Sequence, residues 1–262
     1  MEGVSAPASV ISLRGLGIAF GEGPARTEVL KSLDLDVPPG EFLAIVGASG
    51  VGKSTLLRIL MGLAKPSQGT VRVDADPRFP RAMALVFQDA RLLPWRRIGA
   101  NAGFGLEKLR LPRAERRERA AQALARVGLR EVAGRFPHQL SGGQRQRVAL
   151  ARALAVDPAI LLMDEPFSAL DVATREALQG DLVRIHGEMG KTILFVTHDI
   201  DEAVYLADRI VALGGKPGEV KSVERIAVPR PRRRTDPVLG EIAARIKRGI
   251  AEQAAARDDW VI

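Results

Sequence analysis

The stretch Gly47-Ala48-Ser49-Gly50-Val51-Gly52-Lys53-Ser54-Thr55 decides the reading of this chain. Its fixed positions, Gly47, Gly52, Lys53 and Ser54, fit a glycine-rich loop that ends in a lysine and a hydroxyl residue. Gly47, Gly50 and Gly52 let the backbone curl into a nest whose N–H groups point inward, so a chain of phosphates can lie there with no side chain in the way. Lys53 adds a mobile cation for the outer phosphates and Ser54 a hydroxyl for Mg²⁺. The helix predicted to start here turns its positive end toward the same anion. The flanks agree. Phe42 to Val46 is a short apolar run of buried-strand type, and Leu56, Leu60 and Leu63 recur at helical spacing. Strand, loop, lysine and helix stand in the order that phosphate binding needs, which a plain strand-to-helix turn would not require.

Working outward, 262 residues at 46% apolar content can bury a substantial core. No run approaches the length of a membrane span, and the N-terminus lacks a leader pattern, so a cytoplasmic protein is expected. The chain has no cysteine, which excludes disulfides and thiolate metal sites. A net charge of +8 raises the question of nucleic acid. The arginines at 113, 116, 117 and 119 interleave with Glu115 and Glu118, however, as on a solvated helix face. At 4% aromatic content a base-stacking surface is poorly supplied, so no nucleic-acid partner is expected.

Strands are predicted over Ile11–Phe20 and Val29–Val37, where Leu33, Leu35 and Val37 alternate with Asp34 and Asp36. Further strands are expected at 70–73, 83–87, 160–163, 192–196 and 209–213. The later ones alternate with helices, as parallel strands with crossovers do. The fold class is therefore α/β: a mixed sheet with a parallel core, antiparallel pieces beside it and a helical insertion over about 89–157. Within that insertion a helix runs from Arg113 to Val127 and stops at Gly128.

Two more elements carry chemistry. In Ile160–Glu165 (ILLMDE) four apolar residues place a strand in the sheet, and Asp164 emerges at its end, where ligands of open α/β sheets collect. A carboxylate there can hold Mg²⁺ through water. Glu165, next to it, can accept a proton from water attacking the terminal phosphate. In Leu140–Gln144 (LSGGQ), Ser141 and Gln144 have the spacing of a capping box. A capping box needs no glycine pair, though, and Gly142 and Gly143 leave the helix start bare, so its N–H groups can reach an anion.

With these residues quoted, the chain resembles the ATP-binding cassette (ABC) ATPases, the motor subunits of transporters, from about Ile11 to Asp208. LSGGQ is similar to the signature of that family. The resemblance implies the P-loop NTPase fold in its ABC form, with an antiparallel β subdomain and a helical signature subdomain. It also implies ATP and Mg²⁺ as ligands. Gln88 matches the family's glutamine loop and is implied to serve both catalysis and the metal, beside Ser54 and Asp164. Ser168–Asp171 (SALD) matches the loop after the metal-binding strand, and His198 the histidine near the terminal phosphate. Phe20 falls where the family stacks an aromatic on adenine. Within the family the chain looks most like the ATPases of importers for nitrate, aliphatic sulfonates and taurine, on VFQDARLLPW at 86–95, FPHQLSGGQRQRVALARAL at 136–154, THDIDEAVYLADRI at 197–210 and PRPRRRTDP at 229–237.

The resemblance implies that loop and signature of one chain face opposite ways. Two copies then sandwich two ATP molecules, each site completed by Ser141, Gly142, Gly143 and Gln144 of the other chain. It implies an ATPase domain over 10–228 and a basic tail with a short helix over 229–262. The partners it implies are transmembrane permease subunits, touched through 89–104, and indirectly a solute-binding protein. The protein would then sit peripherally on the inner face of the cell membrane. The alternatives are a soluble ABC ATPase acting on nucleic acid, ribosomes or iron–sulfur assembly, and a kinase using the same loop, to which LSGGQ would be useless. His138 is expected to pack or cap beside the signature, and His186 to lie on a helix surface.

Overall fold

The computed structural model describes residues 9–74, 79 and 81–258. Residues 1–8, on which the expectation of no leader rests, lie outside them. In chain order the elements are β1 (Ile11–Phe20), β2 (Thr27–Val37), β3 (Phe42–Val46), α1 (Lys53–Leu60), β4 (Gln68–Val73), β5 (Arg81–Val86), α2 (Ile98–Ala102), α3 (Arg113–Arg126), α4 (Gly142–Ala155), β6 (Pro158–Asp164), α5 (Val172–Met189), β7 (Thr192–Thr197), α6 (Ile200–Leu206), β8 (Arg209–Gly214), β9 (Glu219–Arg225) and α7 (Pro237–Asp258). Two units result, one from the chain up to Asp74 together with Leu194 onward, the other from residues 75–193.

The first unit carries an antiparallel three-stranded sheet in the order β2-β1-β4. In β2 the alternation works as its sequence dictates: Leu33, Leu35 and Val37 are buried while Asp34 and Asp36 face water. There Asp36 pairs with Arg14 at 2.8 Å and Asp34 accepts the Gly15 N–H at 2.7 Å. Beside this sheet, β3 runs parallel to β8, and β8 antiparallel to β9, so the main sheet is mixed. Every residue of β3 is buried, as in strands covered on both faces. Phe42 meets Phe195 of β7 edge to face at 6.0 Å. The tail helix α7 lies against α6, β8 and β9, burying Leu239, Ile242, Ala243 and Ile246.

In the second unit β5 and β6 pair in parallel, and α2, α3 and α4 pack on one another. Arg119 and Glu115 form an i,i+4 pair at 2.7 Å on the outer side of α3, while Ala120, Ala123 and Leu124 face inward. The helix gives way at Gly128, whose φ of +71° suits glycine. α5 starts on Asp171, which accepts the Thr174 N–H at 3.0 Å, and stops at Gly190 in the left-handed region. Its apolar positions Leu178, Leu182 and Ile185 are buried, as their spacing predicts. His186 corrects its expectation: it is 8% exposed, because it follows Ile185 on the inward side of α5. Among the described residues no helix is long and apolar enough to cross a membrane.

Candidate functional site

In the first unit the chain leaves β3 at Val46 as a loop that ends where α1 begins. Its glycines answer to different needs. A Cβ on Gly47 would stand 2.5 Å from the Leu213 carbonyl oxygen, and one on Gly52 would stand 2.5 Å from Leu30 Cδ2. Gly50, at φ +79°, has nothing within 4 Å of its missing Cβ. Neighbouring backbone and side chain thus press the loop into shape at Gly47 and Gly52, while Gly50 keeps one side open. Ala48, Ser49 and Gly50 are exposed, Val51 is buried, and Ser54 and Thr55 are half-buried. Lys53 is only 4% exposed, and its ammonium donates to the carbonyls of Gly47 (2.8 Å) and Ala48 (3.1 Å). An exposed turn of backbone, a lysine folded over it and the positive end of α1 make a donor set that fits a chain of phosphates.

Two other predicted residues lie in this unit. Phe20 ends β1 with half its surface (50%) exposed, so its ring is no part of the core. His198 follows β7 directly and is exposed. Just after it the Asp199 N–H donates to Thr197 Oγ1 (3.0 Å), and Asp199 in turn caps α6 by accepting the Glu202 N–H at 3.1 Å.

The second unit gathers the signature and both acidic residues. Ser141 Oγ accepts the Gln144 N–H (3.2 Å) and Gln144 Oε1 accepts the Ser141 N–H (3.0 Å), so the capping box is real. Gly142 is exposed, with only the end of Arg145 near its missing Cβ. Gly143 is buried, and a Cβ there would overlap Thr174 Cγ2 of α5, a packing demand beside the bare-helix-end reading. Asp164 closes β6 half-buried, as does Glu165 after it. Glu165 has φ +43°, a conformation that side chains rarely adopt, and Ser168 Oγ donates to its carbonyl at 3.0 Å. Strain of this kind, of order 1–3 kcal/mol, clusters at functional positions. A cleft of about 330 Å³ is lined by Gln88, Asp89, Ala90, Gly142, Arg145, Gln146, Pro166, Ala169 and Leu170. The unit therefore brings Gln88, the signature and the residue after Glu165 onto one cavity.

Several residues that set this geometry carry no motif. Gln146, buried in α4, donates to the Phe87 carbonyl (2.9 Å), and Arg152, two turns on, donates to those of Ala90 and Arg91, both at 2.8 Å. Burial pulls the Arg152 guanidinium below its usual pKa. The signature helix thereby holds the backbone on both sides of Gln88. Asn101, fully buried, accepts the Leu93 N–H (2.7 Å) and donates to the carbonyls of Leu93 and Arg96, which fixes the loop around Trp95. In the first unit Gly218 plays a like part, since a Cβ there would run into the Val51 carbonyl oxygen. Spacing flags none of these, although a glutamine and an asparagine on the apolar faces of helices are a faint signal. His138 stacks on Phe136 at 5.9 Å, as expected of a residue packing beside the signature.

Comparison with known proteins adds to this picture. A family model described as ABC transporter matches residues 30–168. The aliphatic sulfonates import ATP-binding protein SsuB 1 of Xanthomonas axonopodis pv. citri is 51% identical over 229 residues, covering 86% of this chain and 89% of that protein. The protein named SsuB in Escherichia coli O1:K1 is 45% identical over 240 residues, with 89% and 91% covered. Among solved structures, a dimeric ATP-binding cassette in a post-hydrolysis state, bound to ADP and Pi, superposes with a TM-score of 0.72. It is 37% identical, with 84% of this chain and all (100%) of that one covered.

Proposed function

Because the chain belongs to the ABC transporter family, we propose that it is the ATP-hydrolysing subunit of an importer that energises uptake of a small solute, nitrate, an aliphatic sulfonate or a taurine-like compound, through a separate permease. The observation that carries this is the presence, in one chain, of a glycine-rich loop closed by a buried lysine and a second glycine-rich helix start, among relatives named for sulfonate import. A cassette unconnected with transport is not favoured by those relatives. We assign residues 10–228 to the ATPase domain, with a helical insertion over 89–157, and 229–262 to the tail.

In this reading the backbone of 47–55 and the Lys53 ammonium bind the phosphates, and Phe20 stacks on the base. Ser54, Asp164 and Gln88 would hold Mg²⁺, which would supply positive charge against the phosphates. Glu165 takes the proton of the attacking water, and His198 donates to the terminal phosphate. Ser141, Gly142, Gly143 and Gln144 complete the site of a second copy, as the dimeric state of the solved cassette suggests. Loss of the terminal phosphate opens that sandwich and moves permease subunits bound at 89–104, with a solute-binding protein as an indirect partner. The protein then lies at the inner face of the membrane.

The test is Glu165→Gln, which keeps shape and removes the base. ATP should stay uncleaved and, by mass action, hold two copies together. Sedimentation with ATP, with ADP and without nucleotide should show ATP-specific dimers, alone or in the permease complex. Hydrolysis at the wild-type rate would remove Glu165 as the base, and no closure even in the full complex would sink the two-chain mechanism.

A further inference from the structure

One side chain of the tail makes five hydrogen bonds, and three of them converge on the end of α6. Arg232 is 8% exposed. Its Nη1 donates to the carbonyls of Val204 (3.0 Å), Tyr205 (3.1 Å) and Ala207 (2.7 Å), its Nε to Val228 (2.9 Å) and its Nη2 to Ile226 (3.4 Å). Val204 and Tyr205 lie in the last turn of α6 and Ala207 directly follows it. These are carbonyls that a helix end leaves without an intrahelical partner, and a cation there complements the helix dipole.

The neighbours of Arg232 in sequence grip the same helix. Arg230 donates to the Leu206 carbonyl and pairs with Asp208. The Arg234 guanidinium lies 3.8 Å from the centre of the Tyr205 ring, and Lys247 of α7 meets Asp201 in the first turn of α6 at 2.7 Å. At 7 residues α6 is too short to keep its place by its own hydrogen bonds. Its buried side, Ala203, Val204 and Leu206, seats it against β3 and α7, and its two ends are held by Asp199 at the front and by the arginines of the tail at the back. Only Asp199 separates α6 from His198.

We infer that Arg232 is a positioning residue for ATP hydrolysis: it locks the far end of α6 and so fixes, through the body of that helix and Asp199, where His198 stands. The inference rests on the reading of His198 as a donor to the terminal phosphate. It gives the arginine-rich stretch 229–237 a task inside its own subunit. Burial, with repulsion from Arg230, brings Arg232 down to about 10, so it keeps its charge at neutral pH.

A double-mutant cycle on the full-length protein tests this, with wild type, Arg232→Ala, His198→Ala and the double variant. Displacing His198 should lower kcat about 10- to 100-fold in Arg232→Ala. KM for ATP should stay within about twofold, because the phosphate loop is untouched. In the His198→Ala background the same change should cost nothing further, since it acts through the missing imidazole. Arg232→Lys, which keeps the cation but falls about one bond short of the Nη1 position, should recover part of the rate. Fully additive losses would overturn the positioning role while leaving His198 catalytic, and an unchanged kcat in Arg232→Ala would overturn it too. A His198→Ala variant at the wild-type rate would instead overturn the reading of His198, and the inference with it. Should Arg232→Ala fail to fold, Arg232→Gln, which keeps part of the stem, replaces it in the cycle and is judged by the same additivity.

Discussion

Alanine at position 143 separates the two reasons for a glycine in the signature helix. The added methyl of Gly143→Ala would overlap Thr174 Cγ2, while Thr174 Cβ and Oγ1 would stand 3.5 and 3.8 Å away, both ordinary contacts. Thr174 cannot simply turn aside, because a β-branched side chain on a helix has few rotamers and its hydroxyl is bonded to Asp171. Overpacking typically costs about 1–3 kcal/mol, and alanine regains up to about 1 kcal/mol over glycine in a helix. Because the new methyl would stand 2.2 Å from Cγ2, the cost falls in the upper part of that range, about 2–3 kcal/mol, so the net loss is about 1–2 kcal/mol, or a fall of roughly 2–8 °C in Tm for a chain of this size. Thr174→Ser removes Cγ2 and keeps the hydroxyl, so the double variant should melt within about 2 °C of wild type. If the bare helix end also meets phosphate, ATP turnover should stay at least about 10-fold down in the double variant, because the methyl remains beside the N–H groups. Calorimetry and ATPase assays on the same four proteins decide it. A double variant that recovers both Tm and turnover would show that Gly143 serves Thr174 alone, and a single variant with unchanged Tm would refute the steric argument.

Lys53→Ala removes the ammonium now resting on the Gly47 and Ala48 carbonyls, and should abolish turnover and greatly weaken ATP binding in a nucleotide-titration assay; an unchanged rate would remove the phosphate-loop reading. Polar replacements of Leu92, Leu93 and Trp95 should leave the basal ATPase nearly intact and uncouple it from transport in vesicles. Trp95 should dominate, because it is 71% exposed while the two leucines are half-buried; equal loss of both activities would mark these side chains as core. Thr174 backbone and side-chain donors hold the Asp171 carboxyl below its usual pKa, so the cap is at full strength above the ordinary carboxylate range and is lost as pH falls through the lowered value. Asp171→Asn, which caps without ionising, should remove that part of the pH dependence; urea melts at neutral and acid pH that give both proteins the same slope would refute it.

Where the sequence was explicit, one chemical demand had one cheap solution. Phe42–Val46 reads as a strand because a buried parallel strand must be apolar on both faces, and Gly47 to Lys53 reads as a phosphate loop because few other tasks ask for that spacing. β9 carries no mark in the sequence, because Glu219–Arg225 is half-polar and half-exposed and shows neither periodicity nor an apolar run. Spacing does not fix the side of His186, because a histidine one residue beyond a core isoleucine can turn inward or outward, and only packing buries it. Gln146, Arg152 and Asn101 look like ordinary helix residues, since what they do depends on carbonyls that sequence does not locate.

Glu165 and Arg232 show the same limit from opposite sides. The acidic residue after a strand is legible as chemistry, but its left-handed backbone is not, because glutamate has no preference for that region and only the fold can impose it. The Ser168 hydroxyl on the Glu165 carbonyl is part of what imposes it, which gives the SALD stretch a local task beside its place in the family pattern. Arg232 was legible only as charge, one of many arginines in a basic tail. Its five carbonyl partners convert that charge into a fixed helix end, a role for which a guanidinium is suited because its donors fan out in one plane. At this position a basic side chain points inward, to the backbone oxygens at the end of α6 and in the tail itself.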